Sequence, residues 1–105
     1  MIKVSVLYPN GEGATFDMDY YCQRHVPMVR EKFGATCRGV SVEEGVAGGA
    51  PGSPPAYRIM GHLLFDSLDS FQATFAPHAQ AIMGDIANFT NVQPVVQISE
   101  IRIEK

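Results

Sequence analysis

The order in which strand-like and helix-like segments follow one another constrains this chain most. β-Branched and aromatic residues concentrate in four short segments, and two longer segments carry apolar residues at helical spacing. The pattern predicts strands over residues 2–8, 36–46, 57–65 and 94–103, and helices over residues 17–33 and 66–89. The order is therefore βαββαβ. It predicts an α+β, ferredoxin-like fold, in which an antiparallel sheet carries both helices on one face.

One segment is rich in residues that break regular structure. Residues 47–56, AGGAPGSPPA, contain three glycines and three prolines, which predicts a loop between the second and third strands. The loop is either a mobile lid over a cleft or a simple hairpin connection. Too little chain lies on either side of it to make two domains, so we expect residues 1–105 to form a single domain.

The predicted topology leaves one face of the sheet without a helix. Met60 and Leu64 would form an exposed apolar patch on that face in a monomer. A symmetric pair of chains, packed sheet against sheet, would bury both faces. We therefore expect a homodimer, a dimeric α+β barrel, with His62 pointing into the interface because it alternates with Met60 and Leu64.

Composition excludes several classes of function. The net charge is −3 and the eight Lys and Arg residues are scattered, so no nucleic-acid partner is expected. No apolar run approaches the ~20 residues that span a bilayer, and the N-terminus lacks a signal-peptide pattern, which indicates a cytoplasmic protein without a membrane partner. Cys22 and Cys37 match no metal-binding spacing and no His or carboxylate cluster is present, so no metal or other cofactor is predicted.

Residues 20–29, YYCQRHVPMV, place a proline inside the first predicted helix. A proline in a helix interior removes a backbone hydrogen bond and costs roughly 3 kcal/mol. We expect a bend or break within residues 22–27. Either this bend opens a cleft beside His25, or Pro27 simply begins a second helical segment, where proline costs little. The buried face of the helix is predicted to contain Met18, Tyr21, Cys22, His25, Met28, Val29 and Phe33.

His25 has two interpretations. Tyr21 precedes it by four residues, so the two side chains are neighbours on one helix face. His25 is either a general acid or base that lines a cleft, because imidazole titrates near neutral pH, or a core histidine satisfied by a hydroxyl or carbonyl. Tyr20 is expected at the helix edge or in a dimer contact. Asp85 and Asn88 are interpreted as turn and capping residues.

The chain also resembles the EthD family of the dimeric α+β-barrel superfamily. The similarity lies in MIKVSVLYP, FDMDYYCQRHVPMV, HLLFDSLDSFQATFAPH and IMGDIANFTNVQPVVQISE, which cover most of the chain. The first-helix pattern, Phe16-Asp17 with the two tyrosines, His25 and Pro27, is the most specific part. The resemblance implies a homodimer with a ligand cleft between helices and sheet. It also implies a link to alkyl ether degradation, and relatives that tailor polyketides or isomerise lactones without a cofactor.

These observations predict a protein that binds a small, largely apolar organic ligand. His25 would transfer a proton with assistance from Tyr21, making these two the candidate catalytic residues. The candidate ligand-binding residues are Tyr21, His25, Met28, Phe71 and Phe75. The alternative is a non-catalytic binding or accessory protein that supports an oxygenase pathway.

Overall fold

Four strands form one antiparallel sheet. The computed structural model describes residues 1–104, so Lys105, the last residue of the predicted domain, lies outside the described residues. The strands are β1 (Ile2–Pro9), β2 (Gly39–Glu44), β3 (Tyr57–Phe65) and β4 (Val95–Glu100). Their order in the sheet is β2-β3-β1-β4, and every neighbouring pair is antiparallel. The predicted α+β, ferredoxin-like fold is confirmed.

Two helical segments connect the strands. The first comprises α1 (Met18–Tyr20), a π-helical turn (Tyr21–His25) and α2 (Val26–Phe33). The second comprises α3 (Leu68–Phe75), a 3₁₀ turn (Ala76–His78), α4 (Ala79–Gly84) and a last 3₁₀ turn (Ile86–Asn88). Side chains of Asp17 and Ser67 cap the two segments by accepting backbone N–H groups three residues ahead. Gly34, at φ +59°, ends α2 in a conformation that favours glycine.

The first helical segment is distorted beside Pro27, in the range where a bend or break is predicted, but it does not break. The backbone stays helical, and the distortion is a widened turn in which the N–H of Val26 donates to the carbonyl of Tyr21, five residues earlier. Pro27 lies in the first turn of α2, where its missing N–H costs little. Tyr21 and His25 are buried beneath this turn, whereas Cys22 is exposed. The prediction that Cys22 joins the buried face is wrong, because the widened turn rotates it outward.

Two strands are shorter than predicted. β2 begins at Gly39 because Gly34–Thr36 form a 3₁₀ turn after α2, and β4 ends at Glu100. The glycine- and proline-rich residues 45–56 form the predicted connection between β2 and β3. Backbone hydrogen bonds stabilise it internally, including Gly48 N–H to the Ser53 carbonyl at 2.9 Å.

The core between helices and sheet consists of two separate clusters. One contains Val4, Val29, Phe33, Phe65, Phe71 and Ile82. The other is mainly aromatic and contains Tyr8, Tyr21, Ile59 and Phe89. Side chains alternate along β1, so Val4 and Tyr8 point towards the helices while Ser5 and Leu7 point away. Members of both clusters border one cavity, which defines the candidate site.

Candidate functional site

The cavity lies between the sheet and the two helical segments. Its volume is about 360 Å³, large enough for a small organic ligand. Val6, Gly61 and Val42 form part of its floor, on three adjacent strands in direct register. The helical segments contribute further lining residues, namely Tyr21, His25, Val26, Val29, Phe33, Phe71, Phe75, Ile82, Met83 and Ile86. The lining is therefore mostly apolar, with a few polar side chains.

His25 is the central polar group. It is buried, with 5% of its surface exposed, and it also borders the cavity. Its Nδ1 lies 2.9 Å from Oδ2 of Asp85. An ionised carboxylate can only accept, so Nδ1 carries the proton and donates it to Asp85. In a neutral imidazole with this tautomer, Nε2 is the nitrogen that can accept a proton.

Asp85 follows α4 and is held by several donors. The Tyr20 hydroxyl donates to its Oδ1 at 2.7 Å, and the Asn88 side-chain amide donates to the same oxygen at 2.9 Å. Burial alone would raise the pKa of Asp85, but the hydrogen bonds from Tyr20, Asn88 and His25 outweigh burial and lower its pKa below 3.8. Asp85 is therefore an anion at neutral pH, as the hydrogen bond with His25 requires.

Aromatic neighbours fix the plane of the imidazole. The Tyr21 ring stacks on His25, with centroids 5.6 Å apart and 16° between planes. Phe89 packs against the imidazole at 4.7 Å, tilted by 54°. Nε2 has no hydrogen-bond partner within residues 1–104, and no sealed side-chain polar atom there lacks one. Nε2 is therefore not sealed in the core, and it belongs to a residue that lines the cavity.

Two of the tyrosines that line the cavity carry hydroxyl groups without a partner. Tyr8 and Tyr21 are buried and line the cavity, and neither hydroxyl has a hydrogen-bond partner in the described part of the chain. Burial, with a smaller contribution from Cys22, raises the pKa of Tyr21 to about 12. Burial likewise raises the pKa of Tyr8. A Cβ at Gly61 would lie 2.5 Å from the Tyr21 hydroxyl oxygen, so only glycine leaves room for this hydroxyl above the sheet.

The structure brings most of the predicted site residues together. Tyr21, His25, Phe71 and Phe75 all line the cavity. Met28 does not line it, since it is half-buried against the first core cluster. No residue of the connection 45–56 lines the cavity, so the structure gives this loop no position as a lid.

Sequence reasoning missed three residues of the site. Asp85 was interpreted as a turn or capping residue, although it accepts from His25, and Tyr20 was placed at the helix edge although it donates to Asp85. Tyr8 was treated only as a strand residue. The signal for Tyr8 was its alternation with Val4 and Val6, which places it on the inner face of the sheet.

His62 belongs to a different polar group on the open face of the sheet, away from the helices. Nδ1 of His62 lies 2.8 Å from Oγ of Ser5, and its Nε2 lies 3.3 Å from Oε1 of Glu43. His62 is one of the residues that line the cavity. Both of its ring nitrogens nevertheless have hydrogen-bond partners on the open face, Ser5 and Glu43. This orientation agrees with the prediction that it faces away from the helices.

Within residues 1–104, no three His, Cys, Asp or Glu side chains cluster closely enough to hold a metal ion. In the same range, no helix has the length and apolarity needed to cross a bilayer.

Comparison with known proteins connects this site to a family. The model of the EthD domain matches residues 11–93, a range that includes His25, Gly61 and Asp85. The chain belongs to the EthD family. Its crystallographic relatives include an EthD-like protein of Ralstonia eutropha, with 49% identity, a TM-score of 0.93, and coverage of 99% of this chain and 94% of that one. No curated protein is significantly similar in sequence.

More distant structures share the fold of this EthD-family chain. An ethyl tert-butyl ether D (EthD) family protein of Bacillus halodurans has 22% identity and a TM-score of 0.74, covering 96% of this chain and 98% of that one. A dimeric ferredoxin-like protein of unknown function from Thermobifida fusca has 18% identity and a TM-score of 0.57, covering 95% of this chain and 90% of that one.

Proposed function

We propose that the protein binds a small, mostly apolar organic molecule in its cavity and transfers a proton to or from it through Nε2 of His25. The observation that carries the proposal is the 2.9 Å hydrogen bond from Nδ1 to Asp85, which leaves a basic nitrogen at an apolar cavity. The carboxylate fixes the tautomer and stabilises the imidazolium that forms when Nε2 takes a proton.

Such a reaction needs no metal or organic cofactor, because the histidine side chain itself moves the proton. Tyr21 assists by stacking on the imidazole and fixing its plane. The apolar lining by residues such as Phe71 and Phe75 suits a carbon-rich substrate. The family name refers to an alkyl ether, and we place the reaction in the degradation or tailoring of small organic compounds such as alkyl ethers or polyketides.

Hydrogen–deuterium exchange tests the proposal without knowledge of the natural substrate. Small ketones, lactones and cyclic diketones are first screened for compounds that raise the melting temperature. Each compound that binds is then followed by NMR in D₂O for protein-dependent exchange of its acidic C–H protons. His25→Gln should slow this exchange by at least about 100-fold while binding changes little.

His78→Gln is the matched control, since His78 lies in the second helical segment and does not line the cavity. It should exchange protons at the wild-type rate. Binding without any exchange by the wild type would favour the accessory role. Equal exchange by wild type and His25→Gln would contradict His25 as the base.

The functional unit in this proposal is a homodimer formed through the open face of the sheet. Leu7, Met60 and Leu64 are half-buried on this face, and the register pairs Leu7 with Met60 directly. The Thermobifida relative is described as dimeric. Leu64→Glu should convert the dimer to a monomer in sedimentation velocity, whereas Val46→Glu, at a position 92% exposed in the connection, should not. A wild-type monomer at micromolar concentration would contradict the dimer.

A further inference from the structure

The two unpaired tyrosine hydroxyls beside His25 call for an explanation. Both residues are buried and line the cavity, yet neither hydroxyl has a hydrogen-bond partner within the part of the chain that the structure describes, and neither is sealed from solvent. They belong to a small set of polar side chains in a mostly apolar cavity lining. A few convergent polar groups in an apolar pocket are typical of a site that orients one polar atom of a ligand.

The rings that carry the hydroxyls lie close together. The centroids of Tyr8 and Tyr21 are 5.8 Å apart at an interplanar angle of 80°, and Tyr21 stacks on His25. Tyr8 is fixed on β1 and Tyr21 on the helix above it, so the sheet and the helix each supply one hydroxyl. Gly61 leaves the space into which the Tyr21 hydroxyl projects.

The protonation of these groups decides which ligand atom they suit. Burial raises the pKa of both phenols, so both remain neutral hydrogen-bond donors over the physiological range. Neutral donors held in a water-poor site stabilise negative charge on a ligand oxygen, because they need not reorganise when the charge develops.

We propose that the hydroxyls of Tyr8 and Tyr21 form an oxyanion site, and that the substrate is an enolisable carbonyl compound. This inference rests on the proposed role of His25 as the base. Nε2 of His25 removes a proton from the carbon next to the carbonyl. The C–H electron pair becomes the new C=C bond, and the carbonyl π electrons move to oxygen as the enolate. The two hydroxyls donate to that oxygen, and Asp85 stabilises the imidazolium until the proton returns to carbon.

The test compares two probes of nearly equal shape. 4-Nitrophenolate presents an enolate-like oxyanion, and 4-nitrotoluene replaces that oxygen by a methyl group. Binding of both to the full-length protein is measured by titration above the pKa of free 4-nitrophenol. The wild type should prefer the phenolate, and Tyr8→Phe and Tyr21→Phe should each reduce this preference by roughly tenfold or more.

Tyr57→Phe is the matched control, because Tyr57 lies on β3 and does not line the cavity. It should keep the wild-type preference. Melting temperatures establish that each variant is folded.

The outcomes separate this inference from the proposed function. Binding of 4-nitrotoluene without any preference for the phenolate would overturn the oxyanion site and leave the cavity as a binding site. A preference retained in both Tyr8→Phe and Tyr21→Phe would also overturn it. If neither probe binds to any variant, both proposals fail together.

Discussion

Gly61 is the position at which a single methyl group should disturb the site most directly. In Gly61→Ala, the new Cβ would lie 2.5 Å from the Tyr21 hydroxyl oxygen, while its next contacts, at 3.8 and 3.9 Å, are ordinary. The hydroxyl must retreat by about 0.9 Å to restore a contact of 3.4 Å. The ring cannot easily do so, because Tyr8, Phe16 and Phe89 surround it at centroid distances of 5.1–5.8 Å.

Two opposing contributions set the expected change in the free energy of unfolding of Gly61→Ala. Overpacking of a buried site costs about 1–3 kcal/mol. Alanine restricts the unfolded chain more than glycine does, which returns about 0.4–1 kcal/mol. We expect Gly61→Ala to lower the free energy of unfolding by about 1–2 kcal/mol. For a domain of this size, each kcal/mol corresponds to a change of about 4–8 °C in the melting temperature.

A double-mutant cycle tests the cause. Tyr21→Phe removes the atom that the methyl group meets, so the cost of Gly61→Ala should vanish in that background and give a coupling energy of about 1–2 kcal/mol. Urea denaturation measures the stability of the wild type, the two single variants and the double variant. One fixed protein concentration is used, because dimer formation makes stability depend on concentration. Gly84→Ala, where a Cβ would meet nothing within 4 Å, is the control. Additivity of the two substitutions within about 0.5 kcal/mol would refute the reasoning.

Three further predictions concern the polar groups of the site. The folded pKa of Asp85 is depressed, so its contribution to stability is present above the unfolded value of 3.8 and is lost as pH falls through the folded value. In urea denaturation, the difference in free energy of unfolding between wild type and Asp85→Asn should therefore narrow as the pH falls below about 5 and through 3.8 towards the lower, folded pKa. Tyr20→Phe removes a 2.7 Å donor from Asp85 and should raise the pKa of that carboxyl, measured by NMR titration, whereas an unchanged pKa would contradict the contact. Tyr8→Phe removes a buried hydroxyl that lacks a partner, so its melting temperature should stay level or rise, and a loss above about 1 kcal/mol would indicate a missing structural hydrogen bond.

The elements of the fold could be predicted because their signals are local. The alternation of Val4, Val6 and Tyr8 marks β1 and its inner face, and Asp17, Ser67 and Gly34 mark helix ends by short-range chemistry. The order of elements then leaves few arrangements of the sheet. These features depend on residues within a few positions of one another, which a single sequence displays directly.

The hydrogen-bond network of the site could not be predicted, because its contacts are long-range. Asp85 is 60 residues from His25 and 65 from Tyr20, and nothing in the spacing of those residues indicates that the turn after α4 returns to the first helix. The local sequence around Asp85 is that of a helix end, and Asn88 does bond to it there. The capping interpretation was therefore locally reasonable but incomplete.

For the helix distortion at Pro27, the sequence predicts the position but not the form. The sequence shows that the helix must deviate near residue 27, since proline lacks an N–H, but it does not show whether the deviation is a kink, a break or a widened turn. The structure has the widened turn, which keeps the backbone helical from Met18 to Phe33. The form of the distortion decides which side chains turn inward, and this is why Cys22 was misplaced while Tyr21 and His25 were not.

The site departs from an optimally stable core in three places: the widened turn, the glycine in the middle of β3, and the pair of unpaired hydroxyls. The first two departures have a structural explanation, since Pro27 accounts for the turn and the Tyr21 hydroxyl occupies the space that Gly61 leaves. All three nevertheless involve Tyr21, which lines the cavity and stacks on a histidine whose tautomer is fixed by Asp85. Local departures from stability that converge on one point are expected where function constrains a fold. This convergence, more than any single residue, is the physical reason to place the chemistry at His25 and not at His62 on the open face, where both ring nitrogens are hydrogen-bonded.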